Sequence, residues 1–357
     1  MTTPAPDLRP GRHLVFVGCT ASGKSAVAFE LALRRIAAGR PAEIVSCDSM
    51  AVYRGMDVGT ATPTGAERAQ VPHHLLDVAG PSEEYSVVRF RDDVVAALAG
   101  IESRGADAVL VGGTGLYVRA VTDGLQVPGR YPEVLDALEA LPTDELRSRL
   151  GELDPLGARR IEPNNRRRLL RALEVTIGSG RPFSAGGPGL GVYDPTPFVL
   201  TGIRLPREVV GRRVSARWET QMAGGLLGEV RALAERADGL SRTAAEALGY
   251  RELLAHLRGE HTLEEASELA VRRTRQFAVR QERWFRRDPR ITWFDPPDPE
   301  APDRAAIAER VEANTQELVD IGHWGVPVFV FRGEQFWGQD RIDDLRLVLD
   351  EAGLGRA

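Results

Sequence analysis

Eight residues constrain the fold of this chain more than any other stretch: Gly18-Cys19-Thr20-Ala21-Ser22-Gly23-Lys24-Ser25. They follow a short apolar run, Leu14 to Val17, and precede a segment from Ala26 to Ile36 whose apolar residues recur at helical spacing. Strand, glycine-rich turn and helix in that order match the phosphate-gripping pattern G-x4-G-K-[ST] in the context it requires. Its glycines let backbone N–H groups reach phosphate oxygens, the helix N-terminus adds favourable partial charge, Lys24 neutralises, and Ser25 can hold a magnesium ion. Gly18, Thr20, Ala21, Ser22, Gly23, Lys24 and Ser25 are therefore the expected phosphate-binding residues. Of the 46 Lys and Arg residues, Lys24 is the only lysine. A codon bias explains the arginines; the one exception sits where a compact ammonium does what a planar guanidinium does not.

Further short apolar runs end in polar turns. Glu43 to Cys47 leads into Asp48, and Ala106 to Val111 leads into Gly112-Gly113-Thr114, with a helical stretch from Ser86 to Glu102 between them. Strand alternating with helix predicts an α/β fold, a P-loop NTPase-like parallel sheet covered on both faces. From Gly129 to Gly180 helical stretches replace strands, Phe198 to Leu205 reads as a strand returning to the core, and helices dominate from Arg207 to Arg287. Four prolines at 296, 297, 299 and 302 read as a stiff linker. The expected organisation is a disordered leader (1–11), a core (12–125 and 198–295), a helical insertion (126–197), the linker (296–302) and a separate small helix-strand-strand-helix unit (303–357).

Asp48 at a strand end would lie at the carboxyl edge of the sheet near the P-loop, where ligands bind in open α/β sheets. There it suits a general base towards an acceptor, or a metal ligand. A typical P-loop ATPase holds its metal with an Asp ending another strand, and here that strand ends in Gly112-Gly113-Thr114. Thr114 would instead hydrogen-bond a diphosphate or its bridging oxygen as charge builds on a leaving group. A small-molecule kinase using the same loop for ATP is the alternative.

The net charge of −5 makes the chain no polycation, so nucleic-acid binding rests on local patches. Three exist: Arg159 to Arg171, Arg207 to Arg217, and Arg272 to Arg290, the last interleaved with Phe277, Trp284 and Phe285. Each alone is also what a solvated helix face looks like; three in an acidic chain point to a polyanionic partner. Two cysteines, Cys19 and Cys47, fit a reducing compartment as ordinary thiols, and no apolar stretch approaches the roughly 18 residues that span a bilayer, so a cytoplasmic location is expected.

With these residues in view the chain from about His13 to Asp295 resembles the bacterial tRNA dimethylallyltransferases, isopentenyltransferases acting on tRNA adenosine. The resemblance rests on the P-loop, Ser46-Cys-Asp-Ser-Met-Ala-Val-Tyr-Arg-Gly-Met-Asp-Val-Gly-Thr-Ala61, Pro72-His-His-Leu-Leu-Asp77, Val111-Gly-Gly-Thr-Gly-Leu-Tyr117, Arg171-Ala-Leu-Glu-Val175 and Leu248-Gly-Tyr-Arg251. It implies transfer of a dimethylallyl group from dimethylallyl diphosphate to N6 of adenosine 37, with magnesium, by a monomer; a close relative acts on free adenosine nucleotides. It also implies that Asp48 is the base, that Thr114 and Arg217 stabilise the pyrophosphate with Arg213 the alternative arginine, and that a flipped adenine of the anticodon stem-loop enters the site. By the same matching Asp48, Ser49, Met50, Ala51, Arg167, Arg168, Arg171, Tyr250 and Arg251 contact tRNA. Cys19 stands where that family often has Pro, and Glu246 where an Arg is common.

The last segment differs. Asn314 to Leu349, with Gly322-His-Trp-Gly-Val-Pro-Val-Phe-Val330 and Phe336-Trp-Gly-Gln-Asp-Arg341, resembles the carboxyl end of 2-hydroxychromene-2-carboxylate isomerase and related thioredoxin-fold proteins. That implies half a thioredoxin fold with a cis Val326–Pro327 bond, unable to close its own sheet and so without activity. Truncation after Asp295 is then expected to leave transfer intact.

Overall fold

A computed structural model of the chain describes residues 12–125, 127–186 and 190–320, together with 328–331, 334–337, 347–349 and 352. The expected leader, apart from its boundary, and the expected cis bond lie outside them. Two compact units are present, one from Gly124 to Asp194 and the other formed by the residues on either side of it.

The larger unit is built on a six-stranded sheet, all parallel, in the order β3-β2-β4-β1-β5-β6. The strands are β1 (Leu14–Val17), β2 (Ala42–Ser46), β3 (His73–His74), β4 (Asp107–Gly112), β5 (Val199–Ile203) and β6 (Thr292–Phe294). β1, at the centre, is wholly buried, as a strand covered on both faces must be. Its alternation divides the core: Val15 and Val17 join one apolar cluster, Leu14 and Phe16 the other. The first cluster packs under the Val87–Ser103, Leu226–Ala234 and Tyr250–Leu257 helices. The second packs under the Lys24–Ala37 helix through Val27, Ala28, Leu31 and Ala32. The edge strands β3 and β6 escape the sequence pattern because each is only two or three residues long, too short for a period to show.

Register sets the site. Val17 lies opposite Gly112 and Ser46 opposite Val111, so β1, β2 and β4 end level at one carboxyl edge. The loops that begin at Gly18, Cys47 and Gly113 therefore leave the sheet side by side.

His13 enters this core. Wholly buried, its Nδ1 accepts from the Ala108 N–H at 2.9 Å, which puts the ring proton on Nε2 facing Glu102 at 2.6 Å. Burial holds its pKa below the ordinary 6.5 despite the Glu102 carboxylate.

The smaller unit is helical, with helices Pro132–Glu139, Thr143–Leu153, Pro155–Arg160 and Arg166–Ser179 around a core of Leu138, Leu146, Leu150, Leu169 and Leu173. Asp154 organises its turn: wholly internal, it accepts from the Gly157 N–H, the Ser184 N–H and the Ser184 hydroxyl at 2.6–2.9 Å.

After the proline-rich stretch the structure departs from expectation. The Arg304–Asp320 helix, read as the start of a separate unit, completes the core of the larger one. Ile307, Ala308 and Val311 are buried in the cluster under the Lys24–Ala37 helix. Glu312 accepts from buried Arg35 at 2.8 and 3.0 Å and pairs with Arg40, while Asp107 takes Arg12, Arg35 and Arg40 on its two oxygens. The heptad-like apolar spacing of this helix is the signal, masked in the sequence by the prolines before it. Beyond it, β7 (Val328–Phe331) and β8 (Glu334–Trp337) pair as an antiparallel hairpin; of the expected last helix, residues 347–349 are described and helical, and its other residues lie outside the described ones.

Two outcomes follow. Truncation after Asp295 exposes an apolar face worth about 1.5–3 kcal/mol per large side chain and strips Arg35 of a partner, so Tm falls by about 10 °C or more, whereas truncation after Asp320 leaves it within a few degrees. Equal melting of both would refute the packing. For His13, the unfolded ring takes up a proton near 6.5 and the folded ring only at lower pH, so its contribution is complete above 6.5 and is lost as pH falls below it. His13→Gln should flatten the fall of Tm between pH 7.5 and 5.5.

Candidate active site

The P-loop is held in a conformation that only small residues allow. Gly18 has φ of 153° and a Cβ there would stand 2.8 Å from the Ser22 Oγ and 3.0 Å from the Ile203 carbonyl; Gly23 enters the helix with φ of 90°. Lys24, half-buried, donates to the Cys19 carbonyl at 3.3 Å. Burial lowers its pKa, Asp48 and Cys19 oppose that, and Arg217 adds to it, so the lysine, Asp48 and Arg217 share one electrostatic environment. Two polar atoms around the loop are buried with no partner among the described residues: the Ser22 Oγ and the Arg213 Nη1. Buried donors left open in this way are what an anion would satisfy. The thiols contribute no nucleophile: burial raises the Cys19 pKa and pushes that of Cys47 up to about 12.

From β2, Asp48 folds back so that its Oδ1 accepts from the Met50 N–H at 2.8 Å and the Ala51 N–H at 3.4 Å. No partner bonds its Oδ2 among the described residues. From β4, Thr114 begins the Gly115–Thr122 helix without spending its hydroxyl on the cap, and that hydroxyl stands 3.4 Å from the Ser49 hydroxyl. Arg217, on the Arg207–Ala223 helix, donates to the Thr60 carbonyl at 3.0 Å; burial lowers its pKa and the Asp48 charge opposes that.

These groups border a cavity of about 370 Å³. Thr20, Asp48, Ser49, Met50, Thr114 and Arg217 line one part. Trp218, Leu226, Leu248, Val271 and Phe277 supply apolar and aromatic wall, with the Arg280 guanidinium 5.7 Å over the Phe277 ring. Thr60, Gln221, Glu246, Arg251 and Thr274 complete a mixed lining, and polar and apolar groups in one cavity suit a ligand with a charged end and a hydrocarbon end.

Residues implicated by resemblance fall into three groups. Asp48, Ser49, Met50, Tyr250 and Arg251 line the cavity, but Ala51 is buried and offers only its backbone. The Tyr250 hydroxyl is already spent, donating to Glu229 at 2.6 Å and accepting from the Gly59 N–H at 3.1 Å, so only its ring edge remains for a ligand. Arg251 pairs with Glu246 at 2.7 Å and with fully buried Glu252, which Arg273 also meets. Arg167 and Arg168 are exposed on the smaller unit, while half-buried Arg171 is spent on Glu174 and the Pro128 carbonyl. Within the third basic segment Arg290 is internal, paired with Asp288 and Asp123.

For magnesium, the described residues hold no cage of three or more His, Cys, Asp or Glu. They offer the exposed Ser25 hydroxyl in the first helical turn and the Asp48 carboxylate. That donor set fits an ion that keeps waters and takes its other ligands from phosphates.

Sequence reasoning missed Gln281. Buried on the Leu263–Phe285 helix, it accepts from the Thr20 N–H at 2.8 Å and donates to the Gly113 carbonyl at 2.9 Å, tying the P-loop to the turn that carries Thr114. Gly113 must lack a side chain because a Cβ would strike that amide. The one signal was an uncharged residue in an arginine-rich helix. Gln281→Leu leaves both backbone groups unpaired, costing about 1–3 kcal/mol, and Tm should drop by several degrees. An unchanged Tm would show that the tie is dispensable.

The IPP transferase family profile matches residues 51–288. The tRNA dimethylallyltransferase of Kineococcus radiotolerans is 49% identical over 300 residues, covering 83% of this chain and 93% of that protein. The protein of the same name from Thermobifida fusca is 45% identical over 296 residues, covering 82% and 92%. Among solved structures, the full-length tRNA isopentenylpyrophosphate transferase from Bacillus halodurans superposes with a TM-score of 0.62 at 33% identity, covering 87% of this chain and 99% of that one. A loop built for phosphate, an acid and a threonine at level strand ends, and a profile match across most of the core lead to one statement: this chain belongs to the IPP transferase family.

Proposed function

We propose that the chain is a tRNA dimethylallyltransferase, moving a dimethylallyl group from dimethylallyl diphosphate to N6 of adenosine 37. The observation that carries this reading is the pair of buried groups at the P-loop without a partner among the described residues, Ser22 Oγ and Arg213 Nη1, together with a cavity that Asp48, Thr114 and Arg217 share with apolar and aromatic side chains. They suit the diphosphate, and the walls suit the hydrocarbon and the base.

In this reading N6 attacks the allylic carbon, the carbon–oxygen bond to diphosphate breaks, and the amine proton passes to Asp48 Oδ2. The Met50 and Ala51 amides fix the other carboxylate oxygen and so hold the base in place. Charge that develops on the departing diphosphate meets Lys24, Thr114, Arg217 and the P-loop amides, with Arg213 the second guanidinium. Magnesium, held by Ser25, would supply charge neutralisation of the diphosphate when bound, which leaves the Asp48 carboxylate free to act as base.

The exposed Arg167 and Arg168, with Arg251 and the cavity-lining Arg280, supply phosphate contacts for an anticodon stem-loop, and Phe277 and Trp218 supply surfaces for a base that has left its stack. Arg171 serves by shaping that helix. No described helix is long and apolar enough to cross a membrane, and the enzyme is read as a cytoplasmic monomer. The segment after Asp320 is read as an inactive thioredoxin-like remnant.

Labelled dimethylallyl diphosphate should transfer label to unmodified tRNA and far less to adenosine monophosphate, and Asp48→Asn should lower kcat about 10²-fold or more with a small change in KM for the diphosphate. No label on competent tRNA would sink the reading; equal use of the free nucleotide would move it to the nucleotide-specific relatives.

A further inference from the structure

We infer that Glu229, which lies outside the cavity lining and which no motif singled out, is a positioning residue for Arg217. The inference rests on the assignment of Arg217 to the diphosphate.

Between β2 and the sheet's next strand the chain makes a single helical turn, Asp57–Thr60. Four residues cannot hold a helix by themselves, since a helix of that length leaves nearly all of its N–H and C=O groups without internal partners. Here both sets are taken by side chains from elsewhere. The Glu229 carboxylate, from the Leu226–Ala234 helix, accepts from the N–H groups of Asp57 and Val58 at 2.8 Å each and of Gly59 at 3.2 Å. Tyr250 donates its hydroxyl to the same carboxylate and accepts from the Gly59 N–H. At the other pole Gln221 donates to the Val58 and Gly59 carbonyls at 2.9 and 2.7 Å, and Arg217 donates to that of Thr60 at 3.0 Å.

Arg217 and Gln221 are one turn apart on the same helix, so they grip the carbonyl pole together. Among the described residues the Arg217 guanidinium hydrogen-bonds the Thr60 carbonyl, and the place of that carbonyl depends on a turn that Glu229 holds by its amides. Gly59 leaves no slack: a Cβ there would collide with the Tyr250 ring. A carboxylate is required because four donors converge on it; an amide in its place would turn an NH₂ towards at least one N–H.

The test compares Glu229→Gln, Arg217→Ala and the double variant in the labelled transfer assay, with KM measured for both substrates. Glu229→Gln should lower kcat about 10- to 100-fold with KM for tRNA unchanged, and the double variant should be no slower than Arg217→Ala alone. Tyr250→Phe, which removes one of the same bonds with little change of shape, should shift kcat in the same direction and covers the case in which Glu229→Gln does not fold. A kcat within twofold of the parent for the variants that fold, or losses that multiply in full in the double variant, overturns the inference while a large Arg217→Ala effect leaves the reading of Arg217 standing. If Arg217→Ala itself costs less than about threefold, the reading of Arg217 falls and takes the inference with it.

Discussion

The parallel register of three strands is the constraint on which the rest of the molecule depends. Because Val17 faces Gly112 and Ser46 faces Val111, the P-loop, Asp48 and Thr114 are delivered to one edge without any of them having to reach. That geometry is maintained by burial on both faces of β1 and by the absence of side chains where the strand ends crowd, as at Gly113 against Gln281. A shift by one residue would exchange the two apolar clusters as well as separate the acid from the loop.

Around that edge the chain uses buried and half-buried polar side chains as fasteners. Gln281 joins the P-loop to the Thr114 turn, Glu229 holds the Asp57–Thr60 turn, and Glu252 gathers Gly249, Arg251 and Arg273. Each is satisfied at several points, which is the condition under which a buried polar group specifies a geometry instead of weakening it. Arginine suits such fastening because its planar fork bonds in several directions at once, as Arg35 does to Asp107, Glu312 and the Arg12 carbonyl. The single lysine, Lys24, stands at the one place where we propose that the partner is a ligand's phosphate.

Much of this was legible beforehand, for identifiable reasons. A glycine-rich turn between an apolar strand and an amphipathic helix is a local pattern, so the P-loop and the central strands could be read directly. Asp48 and Thr114 could be placed because strand ends in such a sheet have a known edge. Gln281, Glu229 and the role of Glu312 could not: each acts across more than a hundred and fifty residues of sequence, and nothing local marks a polar residue that will be buried by a distant element. The basic segments were legible as composition but not as roles. Arg290 is an internal tie, half-buried Arg273 and Arg171 are paired with Glu252 and Glu174, and Arg167 and Arg168 stand in solvent. The helix after the prolines was read as separate because a linker signal says only that the backbone is stiff, not where it leads.

That helix has a consequence for how the chain is made. β1 and the Lys24–Ala37 helix leave the ribosome well before the residues that cover them: β1 pairs with Val199–Ile203 and the helix is covered by Ile307, Ala308 and Val311. This part of the core therefore waits, with apolar surface showing, until Val311 has been made. During synthesis the P-loop has no finished sheet beneath it until Thr292–Phe294 has been made, so a segment made early becomes native late.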